Sequence, residues 1–157
     1  GILVLSGGKQ VKLVTPTDLI TADRQLEYWE KRQMAVARGN AMAKREDKQL
    51  RAKVLAAYFK PGKGGANQLH RVEAFDDVKV VTKQDTAISE RAIYNVESGI
   101  ATLSGKVKIL RAGSTLNGCS AEVNLNTGVS RLHSCKMDAN SGTNRVRGVL
   151  RPRKRKK

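Results

Sequence analysis

The chain has 157 residues, enough for one ordinary domain with a core, and 39% of them are hydrophobic but only 4% aromatic. The formal net charge is +16, and the chain stays basic without its last seven residues, which carry six of the 30 Lys and Arg. This charge predicts an anionic partner, namely nucleic acid, an anionic membrane or a phosphorylated ligand, and no run approaches the roughly 20 apolar residues of a membrane-spanning helix.

Strand patterns dominate from the start of the chain. Residues 1–7 echo residues 99–105, so we expect a first strand within residues 1–14. Ile20, Ala22, Leu26 and Tyr28 then alternate with polar residues, as in a strand with one dry face and one wet face. Short turns are predicted between such strands, at Gly39-Asn40, Glu46-Asp47, Asp76-Asp77, Glu97-Ser98-Gly99, Ala112-Gly113 and Asn126-Thr127-Gly128.

Residues 27–54 contradict this pattern when they are read alone, because they are rich in helix-forming Ala, Lys, Glu, Arg and Gln. An internal repeat resolves the conflict. A gapless alignment of the chain with itself places 22–58 on 88–124 and matches five identities: Tyr28 with Tyr94, Ala35 with Ala101, Gly39 with Gly105, Arg45 with Arg111 and Leu50 with Leu116. The second copy is plainly strand-like, so the repeat predicts strands in the first copy as well.

A degenerate motif runs through both copies over roughly residues 15–135. The first copy contains Ile20-Thr21-Ala22-Asp23 with Leu26 and Tyr28, then Gly39-Asn40-Ala41, then Leu50-Arg51-Ala52-Lys53 with Leu55. The second contains Tyr94, Gly105-Lys106-Val107-Lys108-Ile109 and Leu116-Asn117-Gly118-Cys119. In this order and spacing the pieces resemble the LptA/OstA-like family of periplasmic lipopolysaccharide-transport proteins. Lys53 and Cys119 depart from the pattern, because the family has an acidic residue at that place.

The resemblance implies an all-β fold, an OstA-like β-jellyroll or β-taco of short stacked antiparallel strands in two facing rows. We expect this domain over residues 1–145 and a basic tail, disordered at its end, over residues 146–157. The implied function is non-enzymatic: lipopolysaccharide is carried across the periplasm with its acyl chains between the two sheets. The implied partners are lipopolysaccharide, further copies of the chain joined end to end through edge strands as a bridge to the outer membrane, and the inner-membrane and outer-membrane components of the transport system.

The apolar stripe that would contact the lipid is predicted from the alternation and the repeat. Plain core packing without a ligand is the alternative for every member. The stripe consists of Ala22, Leu26, Tyr28, Met34, Val36, Ala41, Ala43, Leu55, Val72, Ala74, Val78, Val80, Ile88, Ile100, Val107, Ile109, Leu116, Ala121 and Val123.

Signals for other chemistry are weak. Cys119 and Cys135 could form a disulfide if their α-carbons come within about 7 Å, whereas His133 and the cysteines lack the usual spacing of a zinc site. No phosphate-binding loop and no nucleophile elbow is present in the sequence. No catalytic residue, cofactor or metal ligand is therefore predicted.

Two rival functions remain open at this stage. One is a related module of the same pathway, either the inner-membrane-anchored partner or the periplasmic domain of the outer-membrane translocon. The other is a basic β protein that binds nucleic acid, although few aromatic residues are available to stack on bases. The basic tail fits an anionic lipid, a nucleic acid or plain solvation, and we expect no nucleic-acid partner.

Overall fold

Antiparallel strands make up most of the described chain. The structure is a computed structural model; it describes residues 2–6, 9–62, 64, 67–135 and 146–150, with only the backbone for the first and last of these ranges. The strands are β1 (Ile2–Ser6), β2 (Val11–Val14), β3 (Leu19–Ala22), β4 (Gln25–Trp29), β5 (Met34–Arg45), β6 (Lys48–Pro61), β7 (Asn67–Val81), β8 (Asp85–Asn95), β9 (Ile100–Arg111), β10 (Ser114–Asn124), β11 (Ser130–His133) and β12 (Val146–Leu150). The all-β prediction is confirmed, including the strands that the repeat predicted across residues 27–54. None of the described residues belongs to a helix long and apolar enough to cross a bilayer.

The sequence repeat is also a repeat of strands. In the alignment that pairs Tyr28 with Tyr94, strand β5 (Met34–Arg45) coincides with strand β9 (Ile100–Arg111) at both ends. The same alignment carries residues 19–29, which hold β3 and β4, onto β8. Strands β3 and β4 together are therefore the interrupted counterpart of the continuous strand β8.

All twelve strands belong to one sheet. Its hydrogen-bonded order is β1-β4-β5-β6-β7-β8-β9-β10-β11-β12, with β3 beside β5 and β2 beside β3. The first strand expected within residues 1–14 is present as two pieces, β1 and β2, which pair with β4 and β3. Among the described strands, β1, β2 and β12 have one neighbour each, so the sheet does not close on itself and these edges are left open.

A line of β-bulges bends every long strand at the same level. Strands β5, β7 and β9 each hold two successive residues with positive φ: Gly39-Asn40, Asp76-Asp77 and Gly105-Lys106. The ladders shift register there, so that each pair faces a single residue of the next strand, namely Lys53, Glu90 or Cys119. The predicted turns at Gly39-Asn40 and Asp76-Asp77 are thus bulges inside long strands. An extra residue on one strand makes that strand bend, and it does not reverse the chain.

The bulge line, together with Asp23-Arg24 between β3 and β4, forms a corner that divides the sheet into two facing halves. Half-sheet 1 consists of residues 11–14, 19–22, 41–45, 48–52, 78–81, 85–89, 107–111 and 114–118. Half-sheet 2 consists of residues 2–6, 25–29, 34–38, 54–61, 67–75, 91–95, 100–104, 120–124, 130–133 and 146–150. Apolar residues from both halves form one buried cluster between them.

A disulfide and the strand β12 attach the described residues after β10 to half-sheet 2. Cys119, at the corner in β10, and Cys135, two residues after β11, form a disulfide with their α-carbons 4.8 Å apart. A bridge across a loop of this length contributes about 3 kcal/mol to stability in the chain-entropy account. Strand β12 pairs with β11, so residues 146–150, predicted to belong to the tail, continue the sheet. The rest of the predicted tail, residues 151–157, lies outside the described residues.

Candidate functional site

The space between the half-sheets is where the predicted lipid-contacting residues converge. Fifteen of the nineteen belong to the buried cluster or pack against it. They come from both half-sheets, because the inward-facing residues on either side of the corner point into the same space. They are Ala22, Leu26, Tyr28, Ala41, Ala43, Leu55, Val72, Ala74, Val78, Val80, Val107, Ile109, Leu116, Ala121 and Val123.

Four residues of the predicted stripe lie on the outer faces, so their inward placement was wrong. Met34 and Ile100 share a register row with Arg71 and Asn95, and none of the four belongs to the cluster. Val36 is buried, but it too lies outside the cluster. Its row runs through Glu27, Ala56 and Glu73 on the outer face of half-sheet 2.

Ile88 was misplaced for a different reason. It is 39% exposed, and its neighbours Ala87 and Ser89 are buried instead. The gapless alignment of the two copies paired Ile88 with Ala22, but the first copy has one more residue at its corner than the second. Ala22 therefore corresponds to Ser89 in the structure, whereas Leu26 still corresponds to Ala92.

Several inner residues were missed because alternation reverses at the corner in β6, β8 and β10. In β6, for example, Leu55 and Ala57 face inward on one side of Lys53, and Ala52 and Leu50 face inward on the other. Of the strands that carry the two-residue bulges, β5 and β9 keep one parity throughout, and β7 keeps one from Val72 to Val80, with Leu69 beyond a second register shift. The missed members of the cluster are Val11, Ile20, Ala35, Ala37, Leu50, Ala52, Ala57, Phe59, Leu69, Ala87, Ala92, Tyr94, Ala101, Leu103 and Leu132.

Small side chains leave a void at the open side of the groove. The space available there to the centres of water-sized molecules is about 30 Å³, enough for water but far below the volume of an acyl chain. The half-sheets are thus closed on one another in this structure. The lining residues are Asp18, Ala43, Lys44, Arg45, Lys48, Gln49, Leu50, Leu69, Val72, Val80, Ala92, Tyr94, Ala101 and Leu125.

Two matching Thr-x-x-Asp turns stand at the rim of half-sheet 1. In each, the threonine hydroxyl accepts the backbone N–H of the aspartate, at 2.9 Å in Thr15–Asp18 and 3.0 Å in Thr82–Asp85. Both aspartates are buried. Each faces an arginine at the end of the neighbouring long strand: Asp18 lies 3.4 Å from the Nε of Arg45, and Asp85 holds Arg111 through both carboxylate oxygens.

The identity of Arg45 with Arg111 was visible in the sequence repeat, but their aspartate partners were not recognised. The gapless alignment places Asp18 on Gln84 and not on Asp85, so the two Thr-x-x-Asp segments were out of step by one position. A search for short polar motifs separately from the apolar alternation would have found them.

Polar contacts join the two half-sheets across the open side of the groove. The Nζ of Lys48, at the start of β6 in half-sheet 1, donates to the Oδ1 of Asn126 at 3.1 Å. The Nη2 of Arg111, at the end of β9, donates to the carbonyl oxygen of Gly128 at 2.6 Å. Asn126 and Gly128 both lie in the β10–β11 turn of half-sheet 2. These contacts must break before that end of the groove can widen.

Two titratable groups of the groove have shifted pKa values with clear causes. Burial raises the pKa of the Tyr94 phenol, which stays neutral and apolar at the groove wall. The side-chain hydrogen bond to Asp85 raises the pKa of Arg111, so this guanidinium remains a cation throughout the physiological range. The groove therefore combines an uncharged apolar interior with a rim whose arginines, Arg45 and Arg111, each pair with a buried aspartate. Among the described residues, no group of three or more His, Cys, Asp and Glu side chains is placed to hold a metal ion.

Comparison with known proteins places this architecture in context. The sequence model of the family described as LptA/(LptD N-terminal domain) LPS transport protein matches residues 19–129. A solved structure, described as LptH, the LptA homologous periplasmic component of the lipopolysaccharide transport device from Pseudomonas aeruginosa, aligns with a TM-score of 0.66 at 17% identity, over 87% of this chain and 95% of that one. No curated protein sequence matches the chain significantly. The likeness confirms the predicted β-jellyroll fold.

Proposed function

The chain belongs to this family of lipopolysaccharide transport proteins, and from that membership we propose that it carries lipopolysaccharide with the acyl chains held between its half-sheets. The observation that supports this proposal is the groove itself, whose inner faces are apolar and whose open side carries Arg45 and Lys48. Lipid A presents acyl chains next to phosphates, and this arrangement offers an apolar wall next to cations.

Loading requires the half-sheets to separate, because the void of about 30 Å³ admits no chain. Separation costs the contacts of Lys48 and Arg111 across the open side and uncovers apolar surface. An entering acyl chain covers that surface again and contributes about 0.8 kcal/mol for each buried methylene. A chain of a dozen methylenes thus supplies on the order of 10 kcal/mol towards the opening. No covalent step is needed, and the role is that of a carrier.

The periplasm is the compartment we propose for this activity. The structural relative is described as a periplasmic component. The disulfide between Cys119 and Cys135 fits the same compartment, because disulfides persist in oxidising surroundings such as the bacterial periplasm.

We propose that copies join end to end by strand addition at the open edges of the sheet. Strand β2 offers one edge of half-sheet 1, and natural sheets prevent such pairing by placing a charge on the inward face of an edge strand. Leu13→Lys would place a charge there, and Val14→Lys is the outward control, since Val14 is 70% exposed. Concentration-dependent oligomers should be lost in the first variant and kept in the second. Strictly monomeric parent protein at high concentration would refute this assembly.

Site-specific photo-crosslinking tests the groove. Benzoylphenylalanine at Tyr94 keeps an aromatic ring at the groove wall, and the same group at Ile93, the next residue of β8, points outward from a 49% exposed position. We expect lipopolysaccharide to crosslink at position 94 and not at 93, with little loss when salt is raised, because acyl burial is not screened. Equal crosslinking at both positions, or crosslinking at position 93 alone, would overturn the groove as the binding site.

A second candidate role follows from the family description, which also covers the N-terminal domain of LptD. The groove would then receive lipopolysaccharide as one part of a larger translocon. Crosslinking at Tyr94 is expected in either case, so the length of the complete coding sequence is the measurement that separates the two roles.

A further inference from the structure

The outer face of half-sheet 1 carries a row of cations that the groove does not use. The register places Lys12, Arg51, Lys79 and Lys108 in one cross-strand row on β2, β6, β7 and β9. All four side chains are exposed. With strands about 4.8 Å apart, the row extends for roughly 29 Å along the sheet. Lys44 is a fifth exposed cation in the adjacent row.

These cations have no acidic neighbours on their own face. The two outward rows of half-sheet 1 contain no Asp or Glu, and no ion pair joins any of the five cations to a carboxylate among the described residues. The outer face of half-sheet 2 differs, because Arg38 pairs there with Glu27 and Arg71 with Glu73, each at 3.2 Å. The unbalanced charge is thus specific to one side of the molecule.

One pair in the row is unfavourable for the isolated sheet. Arg51 and Lys79 are direct cross-strand partners, and like charges placed directly opposite each other destabilise a strand pair. An anionic surface laid against this face would remove that repulsion. The repulsion therefore points to a partner outside the chain.

Exposed aliphatic side chains lie among the cations. Ile88 is 39% exposed between Lys79 and Lys108 in the row, and Leu110 is 37% exposed in the adjacent row. Basic residues combined with protruding aliphatic side chains are typical of surfaces that rest at the boundary between lipid headgroups and acyl chains.

We propose that the outer face of half-sheet 1 docks on the surface of an anionic phospholipid bilayer. The five cations face the lipid phosphates, and Ile88 and Leu110 enter the headgroup layer. Nucleic acid fits this face less well. No aromatic residue lies in its two rows to stack on single-stranded bases, and a face several strands wide cannot enter a groove that admits a two-stranded ribbon. The docking face lies on the opposite side of the sheet from the acyl groove and does not depend on the proposed transport function.

Vesicle co-sedimentation of the full chain tests the proposal. The vesicles contain phosphatidylcholine with phosphatidylglycerol, or phosphatidylcholine alone, and no lipopolysaccharide. We expect binding only to the anionic vesicles, weakened by salt. Lys79→Gln with Lys108→Gln should lower the partition coefficient roughly 30-fold, since each cation near an anionic surface contributes about 1 kcal/mol.

The matched control removes two charges elsewhere. Lys31→Gln with Arg131→Gln changes two exposed residues outside half-sheet 1 and should lower binding only a few-fold. Ile88→Ser, which keeps the charge, should also weaken binding. Equal losses in the two double variants would mean that net charge and not this face attracts the vesicles, and absence of binding by the parent protein would overturn the proposal outright.

A parallel titration with a short DNA duplex completes the test. If Lys79 and Lys108 govern DNA binding while the vesicles stay unbound, the face is a nucleic-acid surface and the membrane proposal is wrong. Lipopolysaccharide crosslinking at Tyr94 should be unchanged in the Lys79→Gln, Lys108→Gln variant. A failure of the docking face is therefore distinguishable from a failure of the groove.

Discussion

The guanidinium of Arg111 and the carboxylate of Asp85 form a forked ion pair, with the two side chains only 8% and 5% exposed. Arg111 also donates to the carbonyl oxygen of Gly128, so one side chain links the β7–β8 turn, the end of β9 and the β10–β11 turn. The equivalent pair in the first copy, Arg45 with Asp18, is less enclosed, because Arg45 is 28% exposed.

Loss of the ion pair between Arg111 and Asp85 is predicted to destabilise the fold. Arg111→Met should lower the free energy of unfolding by about 3–5 kcal/mol, because it leaves a buried carboxylate without a partner. Arg45→Met is the matched control and should cost less, because the hydroxyls of Thr15 and Thr17 still donate to the Oδ2 of Asp18. Urea denaturation measures both. Adding Asp85→Asn to Arg111→Met should recover part of the loss, and a single-variant cost within about 0.5 kcal/mol of zero would contradict the role assigned to the pair.

Filling the void should impair lipid uptake. Ala101 is 1% exposed and lines the void, so Ala101→Phe places a ring where an acyl chain would enter, at an overpacking cost of about 1–3 kcal/mol. Thr102→Phe adds the same ring on the outer face of the same strand and should leave uptake unchanged. Photo-crosslinking at Tyr94 in each background is the readout. Undiminished crosslinking in a folded Ala101→Phe protein would show that the acyl chains lie elsewhere.

The corner should be intolerant of side chains at its glycines. Gly39 has φ +86°, and a β-carbon there would lie 2.5 Å from the Cγ of Arg24 and 3.0 Å from its backbone nitrogen. Gly113, in a hairpin turn, has nearly the same φ of +82° with open space around it. Gly113→Ala should therefore lower the free energy of unfolding only by the about 1–2 kcal/mol that a left-handed backbone costs a residue with a side chain. Gly39→Ala should lower it by more. Thermal or urea denaturation measures both variants. Equal costs would contradict the close approach at the corner.

Acid should weaken the fold partly through His70. Burial, together with Arg71 and Lys60, lowers the pKa of this imidazole below its usual value of 6.5. The unfolded chain therefore binds more protons than the folded chain below about pH 6.5, and stability falls as the pH drops towards the lowered pKa. His70→Gln removes this contribution. The difference in melting temperature between about pH 8 and pH 5 should be smaller in the variant, and an equal difference would argue against the shift.

Alternation and repetition made most of this architecture predictable. Tyr28, Val72 and Val107 were placed on the inner face because strands alternate, and the repeat outweighed the helix-forming composition of residues 27–54. The errors at Met34, Val36 and Ile100 lie on β5 and β9, where the turn predicted at Gly39-Asn40 and its repeat hid an alternation that in fact continues through the bulge. The error at Ile88 traces to the reversal of alternation at the corner of β8. A bulge adds a residue to one strand and reverses the alternation of its neighbour, and neither effect has a signature in hydrophobic periodicity. The ion pairs at the rim depend on contacts between distant turns, which periodicity does not report either.

The corner tolerates a change of one residue in strand length. The two copies differ by one residue where β3 and β4 correspond to β8, yet Leu26 and Ala92 still face inward on equivalent positions. Elsewhere in a strand, one added residue would turn every later side chain to the wrong face. At the corner it only alters the bend. Insertions and deletions of single residues should therefore accumulate at this level among related chains, and an alignment of repeats will stay in step only if it permits a gap there.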